Sequence, residues 1–139
     1  MKKLVFLLFH LAIFLPFSCQ QSNSSATQTE TASAESEAVF VREVVSAERF
    51  KEKMAAYPNA QLIDVRTPEE FANGHIEGAK NINVLDKSFE TDVAKLDKKT
   101  PVLVYCQSGG RSGRAAKKLQ EMEFQTIYDL SGGYSEWPK

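Results

Sequence analysis

Residues 101–124 constrain the fold most, because they join a short apolar run to a helical pattern through a loop of small residues. The run PVLVY (101–105) is continuously apolar, which indicates a strand buried on both faces of a sheet. The segment SGRAAKKLQEMEF (112–124) places its apolar residues at helical spacing. A buried strand followed directly by an amphipathic helix is typical of a parallel α/β sheet.

The rest of residues 39–139 repeats this alternation of short apolar and longer amphipathic runs. The clearest helix start lies at Thr67, where Pro68 suits the first turn and Glu70 completes a capping box. Strands are predicted at 39–45, 61–65, 79–83, 101–105 and 126–130, and helices at 46–57, 67–74, 88–96 and 112–124. The pattern predicts an α/β domain with a parallel sheet and helices on both faces. Sites in such sheets form beyond the carboxyl ends of the strands.

The N-terminus has the composition of a signal peptide, which we predict at residues 1–18. Two lysines precede an apolar run at 4–17 that is shorter than the about 20 residues of a membrane span. Ser18 and Cys19 then resemble a bacterial lipobox, so Cys19 is predicted to be lipidated. Ordinary signal cleavage, which would leave Cys19 free or removed, is the alternative.

Residues 19–38 are predicted to be a flexible tether. Beyond Cys19 this segment is rich in Ser, Thr, Gln and Glu and contains no aromatic or large aliphatic residue. Such a segment cannot bury enough apolar surface to offset the entropy lost on ordering. We therefore expect a single domain at 39–139, attached to a bacterial membrane by its lipid anchor alone and facing the periplasm.

Charge and cysteine content exclude several classes of function. The formal net charge is -1, so no nucleic-acid partner is expected. The chain has two cysteines, Cys19 and Cys106, which do not make a disulfide framework. Lipidation of Cys19 would leave Cys106 unpaired. The sequence has no metal-ligand spacing and no nucleotide-binding motif, so neither a metal nor a cofactor is expected.

Cys106 is the first residue after the predicted strand 101–105, at the edge where sites form. The backbone N–H groups of the loop that follows, together with the start of the next helix, can stabilise an anion. The two glycines of this loop, Gly109 and Gly110, allow positive φ, and Arg111 adds a positive charge. We interpret Cys106 as a nucleophile with a depressed pKa, although a small buried hydrophobe is the alternative. The predicted substrate-binding residues are Gln107, Ser108, Gly109, Gly110, Arg111 and Ser112.

Three stretches resemble the signatures of single-domain rhodanese-like proteins, in order and in spacing. They are IDVRTPEEFANGHIEGAKNIN (63–83), YCQSGGRS (105–112) and LSGGYSEW (130–137). The resemblance implies a three-layer α/β/α fold with a five-stranded parallel sheet. It also implies a sulfurtransferase whose Cys106 takes a sulfane sulfur from a small donor such as thiosulfate. The resulting persulfide would pass the sulfur to a thiol or to cyanide.

The resemblance also implies supporting roles for Asp64 and Arg66 beside the loop. A salt bridge between Arg66 and Glu70, four residues apart, is the alternative for that arginine. The setting of His75 favours a structural role. Packing roles are expected for Tyr134 and Trp137, with lining of the pocket mouth as the alternative.

Glu123 departs from the family pattern, which often has glycine at this position, so the preceding helix is expected to end differently. Other functions also remain open. Cysteine-dependent phosphatases and arsenate reductases have one residue more between cysteine and arginine than the four here. The shorter loop is matched to a single sulfur atom. A sulfur carrier or non-catalytic module docking to another envelope protein, and a role in thiol redox or sulfide handling, are further alternatives.

Overall fold

The structure is a computed structural model, and it describes residues 39–138. Three predictions fall outside these residues: the signal peptide (1–18), the lipidation of Cys19 and the flexible tether (19–38). Among the helices of the described residues, none has the length and hydropathy that a membrane span requires.

Strands and helices alternate along the described chain, as the sequence predicts. The strands are β1 (Val41–Val45), β2 (Gln61–Asp64), β3 (Lys80–Asn81), β4 (Val102–Tyr105) and β5 (Thr126–Leu130). The helices are α1 (Ala47–Ala56), α2 (Pro68–Ala72), α3 (Phe89–Val93), α4 (Gly110–Glu121) and α5 (Gly133–Glu136). The short α5 is an addition to the predicted elements, because four residues carry too little periodicity to identify a helix.

Within residues 39–138 the five strands form one parallel sheet in the order β1-β5-β4-β2-β3. Helices cover both faces, and the predicted three-layer α/β/α fold is confirmed. This order places the carboxyl ends of β2 and β4 side by side, because Asp64 pairs with Tyr105 at the last position of both strands. Residues that follow these two strands therefore meet at one edge of the sheet.

Two apolar layers hold the helices to the sheet. One layer includes Phe89 from α3, Leu119 from α4 and Val104 from β4. The other includes Phe50 from α1 and Leu103 from β4. All four residues of β4 are buried, as expected for a strand covered on both faces. The strand that leads to Cys106 is therefore anchored on both sides by the core.

Helix α4 begins at Gly110, two residues before the predicted start at residue 112. Its N-cap, Gly109, has a φ of +97°, a conformation that glycine adopts without steric cost. The chain therefore turns into the helix directly after Gly109. The expectation of positive φ is correct for Gly109 and wrong for Gly110, which is already helical.

Helix α4 ends on a left-handed residue even though glycine is missing there. Glu123 has a φ of +67°, and its N–H donates to the Gln120 carbonyl at 3.0 Å. The next N–H, from the buried Phe124, donates to the Leu119 carbonyl at 3.1 Å. The helix thus stops in the conformation that usually suits glycine, at a cost of about 1–2 kcal/mol for a residue with a side chain.

Candidate active site

The Cys106 sulfur lies in the loop between β4 and α4. Cys106 is a free cysteine with only 1% of its surface exposed. The N–H of Gly109 donates to its Sγ at 3.1 Å. The sulfur is therefore almost fully enclosed and has a backbone donor of its own loop beside it.

Hydrogen bonds from the loop stabilise the ionised Cys106. Burial by itself would raise the pKa of the thiol. The Ser112 side chain and the backbone N–H groups of Ser112, Ser108 and Gly109 more than offset burial and lower the pKa of Cys106. The loop and the first turn of α4 thus surround the thiol with donors, and we call this arrangement the cradle.

Arg111 lies in the first turn of α4 and pairs with Glu70 of α2. Its two terminal nitrogens donate to the two Glu70 oxygens at 2.6 and 2.7 Å. Hydrogen bonding from Arg111, which outweighs the effect of burial, lowers the pKa of Glu70 to about 2. The sequence-based alternative of an Arg66–Glu70 pair is therefore wrong. The Arg111 charge is balanced by a carboxylate in this structure, and the cradle stabilises the thiolate mainly through its N–H and O–H groups.

Asp64 and Arg66 form a buried ion pair at the end of β2. The Arg66 Nη2 donates to Asp64 Oδ2 at 2.6 Å, and Nε donates to the same oxygen at 2.9 Å. The remaining donors of Arg66 reach the Gly74 carbonyl at 2.7 Å and the Gln107 Oε1 at 3.0 Å. The pair therefore connects the end of β2 to the loop, and the supporting role of these two residues stays a prediction.

The start of α5 holds the other side of the loop. The Tyr134 N–H donates to the Cys106 carbonyl at 2.8 Å, and the Ser135 N–H donates to the Gln107 carbonyl at 3.0 Å. The Ser135 hydroxyl also donates to the Gln107 carbonyl, at 2.8 Å, and accepts from Gln107 Nε2 at 2.9 Å. Sequence reasoning missed Ser135, although the quoted stretch LSGGYSEW contains it.

An open pocket of about 220 Å³ lies beside the loop, lined by Arg66, Glu70, Asn73, Gln107 and Tyr134. The Tyr134 ring faces the Arg66 guanidinium, with 4.3 Å between the ring centre and Cζ. Tyr134 therefore lines the pocket. For this residue the alternative prediction, a position at the pocket mouth, is correct. Trp137 packs edge-on against Phe50, as expected.

His75 has structural contacts, in agreement with its expected role. Its ring stacks on Phe71 with 3.8 Å between the ring centres. Its Nδ1 lies 3.0 Å from the Phe71 carbonyl oxygen. These contacts hold His75 against Phe71 of α2.

The arrangement favours nucleophilic chemistry at sulfur, because a lowered thiol pKa makes the reactive thiolate easier to form. The surrounding donors can also hold a negative charge on a second sulfur attached to Sγ, because they point into the cradle. The thiolate and its cradle are thus suited to a covalent sulfur intermediate.

Comparisons with known proteins agree with this geometry. A sequence profile of the Rhodanese-like domain matches residues 46–139. The uncharacterized protein YqhL of Bacillus subtilis is 41% identical over 99 residues, which make up 71% of this chain and 77% of that protein. Thiosulfate sulfurtransferase GlpE of Shewanella oneidensis is 35% identical over 85 residues, or 61% of this chain and 82% of that protein.

A solved structure shows the same fold. The human single-domain sulfurtransferase TSTD1 matches with a TM-score of 0.58 and 27% identity, over 70% of this chain and 96% of that one. The profile match covers most of the chain and includes β2, the Cys106 loop and α5. By sequence, by fold and by the loop that holds its cysteine, the chain belongs to the rhodanese-like domain family.

Proposed function

We propose that the domain is a sulfurtransferase that carries a sulfane sulfur on Cys106, with thiosulfate as a donor. The observation that carries the proposal is the Cys106 sulfur, whose pKa is lowered by donors from the loop and from α4. Relatives named thiosulfate sulfurtransferase support the choice of donor. The reaction class requires a thiolate nucleophile and a place for one added sulfur, and the lowered pKa of Cys106 and the donor at its Sγ support this assignment.

The first step forms the persulfide. The Cys106 thiolate attacks the outer sulfur of thiosulfate, a new S–S bond forms, and the S–S bond of thiosulfate breaks. Its electron pair leaves with sulfite, so no oxidant and no proton are needed. The negative charge moves to the outer sulfur of the persulfide, where the N–H groups of Ser108 and Gly109 and the Ser112 hydroxyl can stabilise it.

The second step returns the enzyme to its starting state. A thiolate or cyanide attacks the outer sulfur, and the persulfide S–S bond breaks. The electron pair returns to Cys106, which leaves as the stabilised thiolate. A low thiol pKa favours this step as well, because a weaker base is a better leaving group.

Incubation of the full chain with thiosulfate is expected to add the mass of one sulfur atom, with Cys106 as the modified residue. Cyanide should then remove this mass and release thiocyanate. Cys106→Ser should abolish the gain, because a serine hydroxyl is a far poorer nucleophile without an activating base. Intact-mass spectrometry after removal of excess reagent measures all three results.

Cys19→Ser is the matched control for this assay, since it removes the other thiol and should leave sulfur loading unchanged. Mercaptopyruvate and polysulfide test whether the donor differs from thiosulfate. A protein that gains no sulfur from any of the three donors, but hydrolyses an aryl phosphate, would contradict the proposal and favour the phosphatase alternative.

We further propose that Cys19 is the lipidated N-terminus of the mature protein, placed in a bacterial envelope with its domain facing the periplasm. The apolar run that ends at Ser18–Cys19 supports this location. The mature protein is expected in the membrane fraction with an acyl mass on Cys19, and Cys19→Ala should move it to the soluble fraction. Recovery of the unmodified protein in the soluble fraction would refute the anchor.

A further inference from the structure

The two arginines beside the active loop each have a carboxylate partner. Arg66 is paired with the buried Asp64, with 2.6 Å between Nη2 and Oδ2. Arg111 is paired with Glu70, whose two oxygens accept from its two terminal nitrogens at 2.6 and 2.7 Å. Two cations and two carboxylates give these four side chains no net charge. The positive charge of Arg111 is therefore balanced before any reactant binds.

Glu70 brings its carboxylate to the wall of the pocket beside the Cys106 loop. This pocket of about 220 Å³ is lined, besides Glu70 and Arg66, by three residues that add no positive charge: Asn73, Gln107 and Tyr134. The side chains of Glu70 and Arg111 are 32% and 21% exposed, so water screens their charges only in part. Hydrogen bonding from Arg111 lowers the pKa of Glu70 to about 2, so the carboxylate is ionised at neutral pH. A reactant that enters the pocket meets this negative charge.

The capping box of α2 holds the Glu70 side chain in place independently of Arg111. The Thr67 N–H donates to Glu70 Oε2 at 3.2 Å, and the Glu70 N–H donates to Thr67 Oγ1 at 3.3 Å. Either Glu or Gln can close such a box, because both side chains carry an oxygen acceptor. Glu70→Gln therefore removes the charge at the pocket and keeps the local structure of α2.

The charge balance of the site disfavours donors that carry two negative charges. The Cys106 nucleophile is an anion, so it repels a dianion more strongly than a monoanion. An excess of positive charge at the pocket would offset this repulsion, but Glu70 cancels the charge that Arg111 would supply. Thiosulfate carries two negative charges, whereas an alkyl persulfide or a thiosulfonate anion carries one. All three hold an outer sulfane sulfur, so charge is what separates them here.

We propose that Glu70 is a specificity-determining residue that favours sulfane-sulfur donors with one negative charge, alkyl persulfides and thiosulfonates, over dianionic thiosulfate. It does so by cancelling the charge of Arg111 at the pocket. The consequence for sulfur transfer rests on the proposed sulfurtransferase function. The bonds change in the same way for each donor. The Cys106 thiolate attacks the outer sulfur, the S–S bond of the donor breaks, and its electron pair leaves with a thiolate, a sulfinate or sulfite.

The test compares the rates at which the full chain loads sulfur from thiosulfate and from the methanethiosulfonate anion, in which a methyl group replaces one charged oxygen. Glu70→Gln should raise the rate with thiosulfate about threefold to tenfold more than the rate with methanethiosulfonate, because a negative charge beside the donor is removed. The ratio of the two rates cancels any loss that affects both donors alike. Glu69→Gln, which removes an exposed carboxylate from the same turn of α2, should leave the ratio unchanged.

A second substitution and high salt distinguish an electrostatic effect from a structural one. Glu70→Gln combined with Arg111→Gln restores the charge balance, so the ratio should return to about the wild-type value. High salt should also shrink the effect of Glu70→Gln, since the Debye length is only about 3 Å in about 1 M KCl. A wild-type ratio in Glu70→Gln would overturn the proposal. So would a changed ratio that persists undiminished in the double variant or in high salt.

Alkylation of Cys106 measures the same charge preference without any sulfur donor. Iodoacetamide is neutral and iodoacetate carries one negative charge, and mass spectrometry of the peptides separates Cys106 from Cys19. Glu70→Gln should raise the rate with iodoacetate relative to iodoacetamide by a similar factor. An unchanged alkylation ratio would overturn the role of Glu70, whether or not sulfur is transferred. A changed alkylation ratio in a protein that loads sulfur from neither donor would refute only the proposed function.

Discussion

Replacing Asp64 with alanine is expected to lower the free energy of unfolding by about 3–5 kcal/mol. The substitution leaves the Arg66 guanidinium in the interior without its counter-charge. Arg66 is 2% exposed and Asp64 is fully buried, and their closest approach is 2.6 Å. The remaining side-chain hydrogen bonds of Arg66 run to the Gly74 carbonyl and the Gln107 side chain, and neither of these groups carries a negative charge. Urea unfolding at a constant m-value measures the change.

The exposed pair between Arg49 and Glu52 provides the control for this experiment. Its side chains are 58% and 63% exposed, and their charged atoms lie 3.2 Å apart. Glu52→Ala should therefore change stability by less than about 1 kcal/mol. Similar losses for Asp64→Ala and Glu52→Ala would show that the buried pair contributes no more than a surface pair.

The elements of the fold could be predicted because their signals are local. The capping box from Thr67 to Glu70 spans four residues, and both of its hydrogen bonds form as the sequence predicts. The continuously apolar sequence of β4 indicates that this strand is buried on both faces. Parallel pairing then follows from the alternation of strands and helices, and it places Cys106 at the edge where sites form.

The charge pairs of the site could not be predicted in the same way. Glu70 and Arg111 are 41 residues apart and meet only because β2 and β4 are neighbours in the sheet. Sequence spacing allowed Arg66 as an alternative partner of Glu70, since the two residues are four positions apart. Arg66 instead turns toward Asp64, because it lies before the start of α2 and not on its face.

The contacts of the polar groups behind the loop could not be predicted either, because they join segments that are distant in the sequence. Gly113 lies beside Asp129 because α4 packs on β5, and Ser135 reaches Gln107 because α5 folds over the loop. Neither pair has a periodic signal. The left-handed conformation of Glu123 was hidden for another reason: a residue with a side chain rarely adopts it, so its identity does not indicate it.

Gly133→Ala is expected to damage both the stability of the domain and its sulfur loading. Gly133 has a φ of +58°, where a side chain costs about 1–2 kcal/mol. An added Cβ would also lie 2.7 and 2.8 Å from the carbonyl carbon and oxygen of Gln107, and closer still to the Cys106 carbonyl oxygen. These are backbone atoms, so the start of the active loop must move. Together the two effects should lower the free energy of unfolding by about 2–5 kcal/mol.

Gly78→Ala separates the backbone strain from the collision with the loop. Gly78 has a φ of +81°, but a Cβ there would meet nothing within 4 Å. It should lose only the conformational cost and keep full sulfur loading. Gly133→Ala, measured at a temperature where circular dichroism shows it folded, should load sulfur at least about tenfold more slowly, because small displacements of a reacting atom cost rate steeply. If both variants load sulfur at the wild-type rate, the close approach of α5 to Cys106 does not position the sulfur. If only Gly133→Ala is slow, the contact between the start of α5 and the Cys106 carbonyl positions Cys106 for sulfur loading.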